Sequence, residues 1–131
     1  MLQRDYVLAQ INLFVQTVLE PLRLALEELD LDSVHTVEQA VGKLIDLDAD
    51  TALALSPDSL VTMMQLSGIG DSVAGYASYA LARIADSYER MGKKQTAGVR
   101  RDQARKVAVA FGWNLSDIPE EFEDLEKRLR G

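Results

Sequence analysis

Leu8, Ile11, Val15, Val18, Leu22, Ala25 and Leu29 recur at alternating three- and four-residue steps. That spacing predicts one long helix over about residues 4–29, with a continuous apolar seam along one side. Val7, Leu13, Phe14, Leu19, Leu24 and Leu26 lie off the seam. A helix this apolar around its circumference wants neighbours on more than one side. Pro21 falls inside it; a missing donor and a clash with the preceding turn predict a kink or a break there.

The stretch DLDS (30–33) reads as a turn, with Asp32 or Ser33 capping a second helix over about 33–47. Val34, Val37, Val41 and Leu44, with Ala40 beside them, give that helix its inner stripe. DLDADTALALSPDSL then breaks the period, until Ser56 as cap and Pro57 as first residue open a third helix to about 67, ending at Gly68. GIGDS turns the chain, and Asp71 or Ser72 caps a fourth helix that runs to Met91 and stops at Gly92. A fifth helix covers about 94–111 and ends at Gly112. Pro119 opens a sixth to about Leu129, with Ile118, Phe122, Leu125 and Leu129 as a narrow stripe suited to a lid. Its acidic start and basic end suit the helix dipole. Alternating β-patterns are absent, so the chain is predicted to be all-α.

Leu81, Ile84, Ala85 and Tyr88 before Gly92, followed by Ala97 and Ala104, form a pattern that resembles one tetratricopeptide repeat. Small alanines let two antiparallel helices approach, the tyrosine fills the space beside them, and the glycine turns the chain. Leu81 stands where a large aromatic is usual, and no proline follows the second helix. Ser33 and Ala40 repeat the seven-residue step of Ala97 and Ala104. The opening MLQRDY, the segment LIDLDADTALALSPDSL and the hairpin after it together resemble an uncharacterised family of small bacterial tetratricopeptide-like proteins, over nearly all of residues 1–112. The resemblance implies a helical fold and a bacterial cytoplasmic setting, and it carries over no activity and no functional residue. The expected architecture is a tetratricopeptide-like array of antiparallel helical hairpins, five to six helices in a single domain (1–131). It divides into a long N-terminal helix with a degenerate hairpin (1–49), an irregular segment with a short helix (50–70), a repeat-like hairpin (71–112) and a capping helix (113–131).

Composition narrows the chemistry. Cysteine is absent, which excludes disulfides, thiolate metal sites and cysteine nucleophiles and fits a reducing compartment. The start, MLQRDYVLAQINLFVQ, reads as that of a mature cytoplasmic protein, because Gln10, Asn12 and Gln16 interrupt its apolar stretch. No run of apolar residues is long enough to span a membrane. The net charge of −7 argues against a general affinity for nucleic acid or anionic membranes. Residues 90–106 nevertheless hold seven Lys/Arg against one Asp.

Asp46, Asp48 and Asp50 alternate as in a calcium loop, but Thr51 and Pro57 stand where that loop needs glycine and glutamate. An acidic inter-helix loop is the better reading. GIGDSVAG lacks the preceding strand and the Lys-Ser/Thr pair of a phosphate loop, so Gly68 and Gly70 are read as turn residues and Gly75 as a close-packing position. His35 has Glu38 one turn away, and the pair lacks the third ligand a metal requires. Met63, Met64 and Met91 read as core filling. No catalytic, cofactor or metal residue is assigned, which argues against an enzyme.

What remains is an interaction surface. Arg100, Arg101, Arg105 and Lys106 are expected on the outward side of the fifth helix, with Lys93 and Lys94 at its start. Trp113 reads either as an anchor for a partner or as a plug between the last hairpin and the cap helix. The leading expectation is a protein-interaction module, self-associating through the N-terminal helix, with a protein as partner. The alternative is an anionic ligand or RNA bound along 93–106.

Overall fold

The seam of the first helix becomes the line along which three other helices pack. A computed structural model describes residues 2–131, with side chains from residue 4 onward. Met1 and the side chains of Leu2 and Gln3, half of the MLQRDY stretch, lie outside the described residues. Those residues form seven α-helices and no strand.

Helix α1 (Leu2–Glu27) runs unbroken through Pro21. An interior proline costs about 3 kcal/mol. Val18, Leu22, Ala25 and Leu26, packed around it, are almost completely buried. Each large side chain so buried contributes about 1.5–3 kcal/mol, enough to hold the helix together across the missing donor. The chain leaves α1 through Leu29, whose φ of 53° lies in the left-handed region.

Helix α2 (Leu31–Leu44) starts earlier than its sequence suggests, and its cap is Asp30 rather than Asp32 or Ser33. Ser33 Oγ donates instead to Asp30 Oδ2 at 2.5 Å. The predicted stripe of Val34, Val37, Ala40, Val41 and Leu44 is buried throughout. Asp46, at φ 60°, turns the chain after α2, and Leu47 N donates to Gly42 O at 2.9 Å. A five-residue helix, α3 (Ala49–Leu53), follows in a segment expected to be irregular. Asp48 nucleates it, accepting from Thr51 N at 3.1 Å and Thr51 Oγ1 at 2.8 Å. It can lie against α2 because Gly42 has no side chain: a Cβ there would sit 2.7 Å from Ala49 Cβ.

Helix α4 (Pro57–Leu66) begins as expected, with Ser56 Oγ accepting from Ser59 N at 3.2 Å. Helix α5 (Asp71–Arg90) is capped by Gly70, one residue before the predicted Asp71 or Ser72. Helix α6 (Lys94–Ala110) follows the tight turn at Gly92, whose φ is 80°. Between Gly112 and the C-terminus, the expected single helix divides into a 3₁₀ turn (Glu120–Phe122) and helix α7 (Glu123–Arg130).

Two hairpins, α1–α2 and α5–α6, make the body of the fold. Helix α1 also contacts α5 and α7, α2 also contacts α5 and α3, and α4 lies on α6. Helices α1 and α5 run in the same direction: Arg90 Nη1 donates to Leu26 O at 2.9 Å near their C-terminal ends. Helix α7 is fastened by Phe122, fully buried with its ring centroid 4.6 Å from that of Tyr79. Tyr76 donates to Glu121 and Tyr79 to Glu126 Oε2 at 2.6 Å, while Arg128 reaches Glu27 of α1 at 3.1 Å. No helix among the described residues is long and apolar enough to cross a membrane.

Candidate functional site

The basic residues of α6 do not form one surface. Arg100 faces inward, against the expectation that it points away from the fold. Its Nε donates to Glu38 Oε2 of α2 at 2.8 Å, and its Nη1 donates to Leu53 O at 3.0 Å and to Gln103 Oε1 at 3.1 Å. Tyr88 donates to the same Glu38 oxygen at 3.0 Å. The fully buried Gln103 completes the cluster by donating to Leu53 O and Leu55 O at 3.1 and 3.0 Å. This network ties α2, α5 and α6 to the end of α3 and to the segment that joins it to α4. Burial, with the Glu38 carboxylate beside it, pushes the Tyr88 hydroxyl up to about 12.

The other cations are outside, but most are paired. Arg101 meets Asp86 at 3.2 Å and Glu89 at 3.4 Å, Arg105 meets Asp102 at 3.2 Å, and Lys106 meets Asp58 at 3.4 Å. Lys93 and Lys94 stand exposed at the start of α6. Trp113 lies flat against α5. Its Nε1 donates to Asp71 O at 2.5 Å, and the indole occupies the space a side chain on Gly75 would need. It closes the α6 end of the last hairpin against the first turns of α5, while one edge stays in solvent.

His35 and Glu38 point apart: the imidazole is exposed and the carboxylate buried. The acidic trio also divides. Asp46 turns the chain, Asp48 caps α3, and Asp50 accepts from Gln39 at 3.4 Å. Among the described residues no group of three or more His, Asp or Glu side chains could hold a metal. Met64 is fully buried, whereas Met63 is exposed.

A concavity lies elsewhere, between α1 and α2. It is a groove of about 370 Å³, floored by Phe14, Ala40 and Leu44 and rimmed by Leu13, Thr17, His35 and Lys43. A second hollow of about 180 Å³ shares Gln10, Lys43 and Leu44 with it and continues past Tyr6 and Val7 to the turn at Gly68–Gly70. The two form one trough along the α1–α2 seam. Beside it, Tyr6 and Leu13 are 64% and 56% exposed. No charged residue occurs between Asp5 and Glu20, so this face of α1 is neutral over residues 6–19. Exposed apolar side chains without charges are the composition of an interface centre rather than of a solvated helix face.

The N-terminal helix was expected to hold excess apolar surface because one neighbour could not cover it. In the fold it has three neighbours, and from Phe14 onward its large apolar side chains are buried or half-buried. The excess is confined to its first four turns. The charge-free run 6–19 was the available signal for that location.

Comparison with known proteins returns no match: no family model, no curated protein and no solved structure aligns with the chain.

Proposed function

We propose that this chain is a non-catalytic, tetratricopeptide-like protein-interaction module of the bacterial cytoplasm, and that it self-associates through the N-terminal half of α1. The observation that carries the reading is the groove between α1 and α2, with Tyr6 and Leu13 exposed on the adjoining side of a helix that bears no charge over residues 6–19. A groove with an apolar floor and a polar rim takes an amphipathic helix, which buries its apolar stripe on the floor and keeps its other side in solvent. The pattern of Tyr88, Gly92, Ala97 and Ala104 supports the family setting, since it resembles a tetratricopeptide hairpin.

The alternative, an anionic ligand or RNA along residues 93–106, has less behind it. Arg100 is spent on Glu38, and Arg101, Arg105 and Lys106 each have a carboxylate within 3.4 Å. Phosphate binding needs several unneutralised cations on one face.

Sedimentation equilibrium of the purified chain tests the proposal. A mass twice that of one 14.5 kDa chain at tens of micromolar, falling on dilution, supports it. A monomer across that range contradicts it.

A further inference from the structure

We infer that residues 118–130 form a detachable strap, and that the seat it occupies on α5 docks an acidic amphipathic helix of a partner once the strap lifts. The inference goes beyond the proposed self-association and does not depend on it.

The seat is a stripe of donors. Tyr76, Tyr79 and Arg83 follow a three-four step along one face of α5. Tyr76 donates to Glu121 at 2.7 Å, and Tyr79 donates to Glu126 at 2.6 Å. Phe122 lies against both rings, its centroid 6.4 Å from that of Tyr76 and 4.6 Å from that of Tyr79. Leu125 is buried three residues further on. The strap thus displays what the seat recognises: an aromatic and a leucine three residues apart, with a carboxylate before the first and another after the second. The match is incomplete. Arg83 Nε lies 3.1 Å from the Glu126 oxygen that Tyr79 uses, yet it is buried without a hydrogen bond. A buried donor left unmet costs free energy, so a segment that sets a carboxylate squarely on Arg83 is held better than the strap.

The strap is also suited to leave. Helix α7 has eight residues, too few for a helix to persist alone. Within the strap only Phe122 and Leu125 are buried apolar side chains, with Ile118 and Leu129 half-covered. Lifting it strands no charge in the body. Arg83 keeps Asp86 at 2.6 Å, and Glu27 keeps Arg23 at 3.0 Å. The two main hairpins differ, because parting them would strand Arg100 or Glu38. An element with few buried apolar side chains, and with polar contacts that water can replace, opens before the rest.

Hydrogen exchange of the full chain reads the opening. The hydrogen-bonded amides of α7 are expected to exchange at least about ten-fold faster than those in the middle of α5, and Phe122→Ala to quicken α7 by about ten-fold more with α6 unchanged. A labelled peptide copying residues 117–131 reads the seat. It is expected to bind the full-length Phe122→Ala chain at least about ten-fold more tightly than the wild type, because the competing strap is weakened. The peptide should lose that binding when its own Phe122 is replaced by alanine. If the Phe122→Ala chain does not fold, Glu126→Ala, which removes only polar contacts of the strap, gives the same comparison. Exchange in α7 as slow as in α5, or equal quickening of every helix by Phe122→Ala, overturns the inference. So does a peptide that neither chain binds. A wild-type dimer that Phe122→Ala dissociates overturns the foreign partner and makes the occupant the strap of a second copy.

Discussion

Arg100 of α6 and Glu38 of α2 meet at 2.8 Å with only 13% and 10% of their side chains exposed, and the fold is assembled around that pair. The pair joins the two hairpins, and Tyr88 and Gln103 supply the remaining bonds. Removing one partner leaves the other charge buried without compensation, at a cost of about 3–5 kcal/mol. Arg100→Ala is therefore expected to lower stability to urea by that order. Arg101→Ala, at a half-exposed pair, is expected to cost about 1 kcal/mol or less. Similar losses for the two variants would deny Arg100 its structural role.

Neither residue was legible as a structural one from its type alone. A long charged side chain reads as surface, yet its register says otherwise. Arg100 stands three residues after the buried Ala97 and four before the buried Ala104, on the packed seam of α6. Glu38 likewise follows Val37 and precedes Val41 on the buried stripe of α2. Opposite charges at seam positions of two helices were the signal, and only the fold brings residues 62 apart into contact. Features set by local chemistry were readable directly: the Ser56 cap, the positive-φ glycines 68, 92 and 112 and the stripe of α2. Helix α3 escaped because five residues are too few to display a period, and its start depends on one Asp48–Thr51 contact.

Gly75 and Trp113 give a second test. A Cβ on Gly75 would lie 2.5 Å from Trp113 Cε2. Gly75→Ala must push the indole outward, costing about 1–3 kcal/mol as overpacking does. The fluorescence of this sole tryptophan should shift to the red as its ring enters water. Unchanged emission with unchanged stability would show that the indole does not rest on α5.

Leu29 offers a stabilising change. Its φ of 53° costs a residue with a Cβ about 1–2 kcal/mol, and glycine escapes most of that. Its side chain is exposed, so little packing is lost. Leu29→Gly is expected to raise stability by about 0.5–1 kcal/mol in thermal or urea unfolding. A loss of stability would mean that the Leu29 side chain contributes more than its backbone costs.

The tyrosines predict an alkaline limit. Burial and a neighbouring carboxylate raise Tyr88 to about 12, and burial with Glu126 raises Tyr79 still further. Below pH 10 the folded and unfolded chains hold these protons equally. Above it the unfolded chain releases them first, so stability falls as pH rises from 10 toward the folded values. Urea midpoints should be flat from pH 8 to 9.5 and decline beyond 10. Tyr88→Phe should flatten the part of that decline between pH 10 and 12. An unaltered slope in this variant would remove Tyr88 from the explanation.

On the proposed reading, the neutral face of α1, and not apolar exposure in general, brings two chains together. Leu13 and Val109 are both exposed, at 56% and 78%, but only Leu13 borders the α1–α2 groove. Sedimentation equilibrium of Leu13→Glu beside Val109→Glu, each checked for native helix content and unfolding midpoint, isolates that difference. The expected result is a monomer for Leu13→Glu and an unchanged dimer for Val109→Glu. A dimer that survives Leu13→Glu, or that Val109→Glu dissociates equally, would contradict the account.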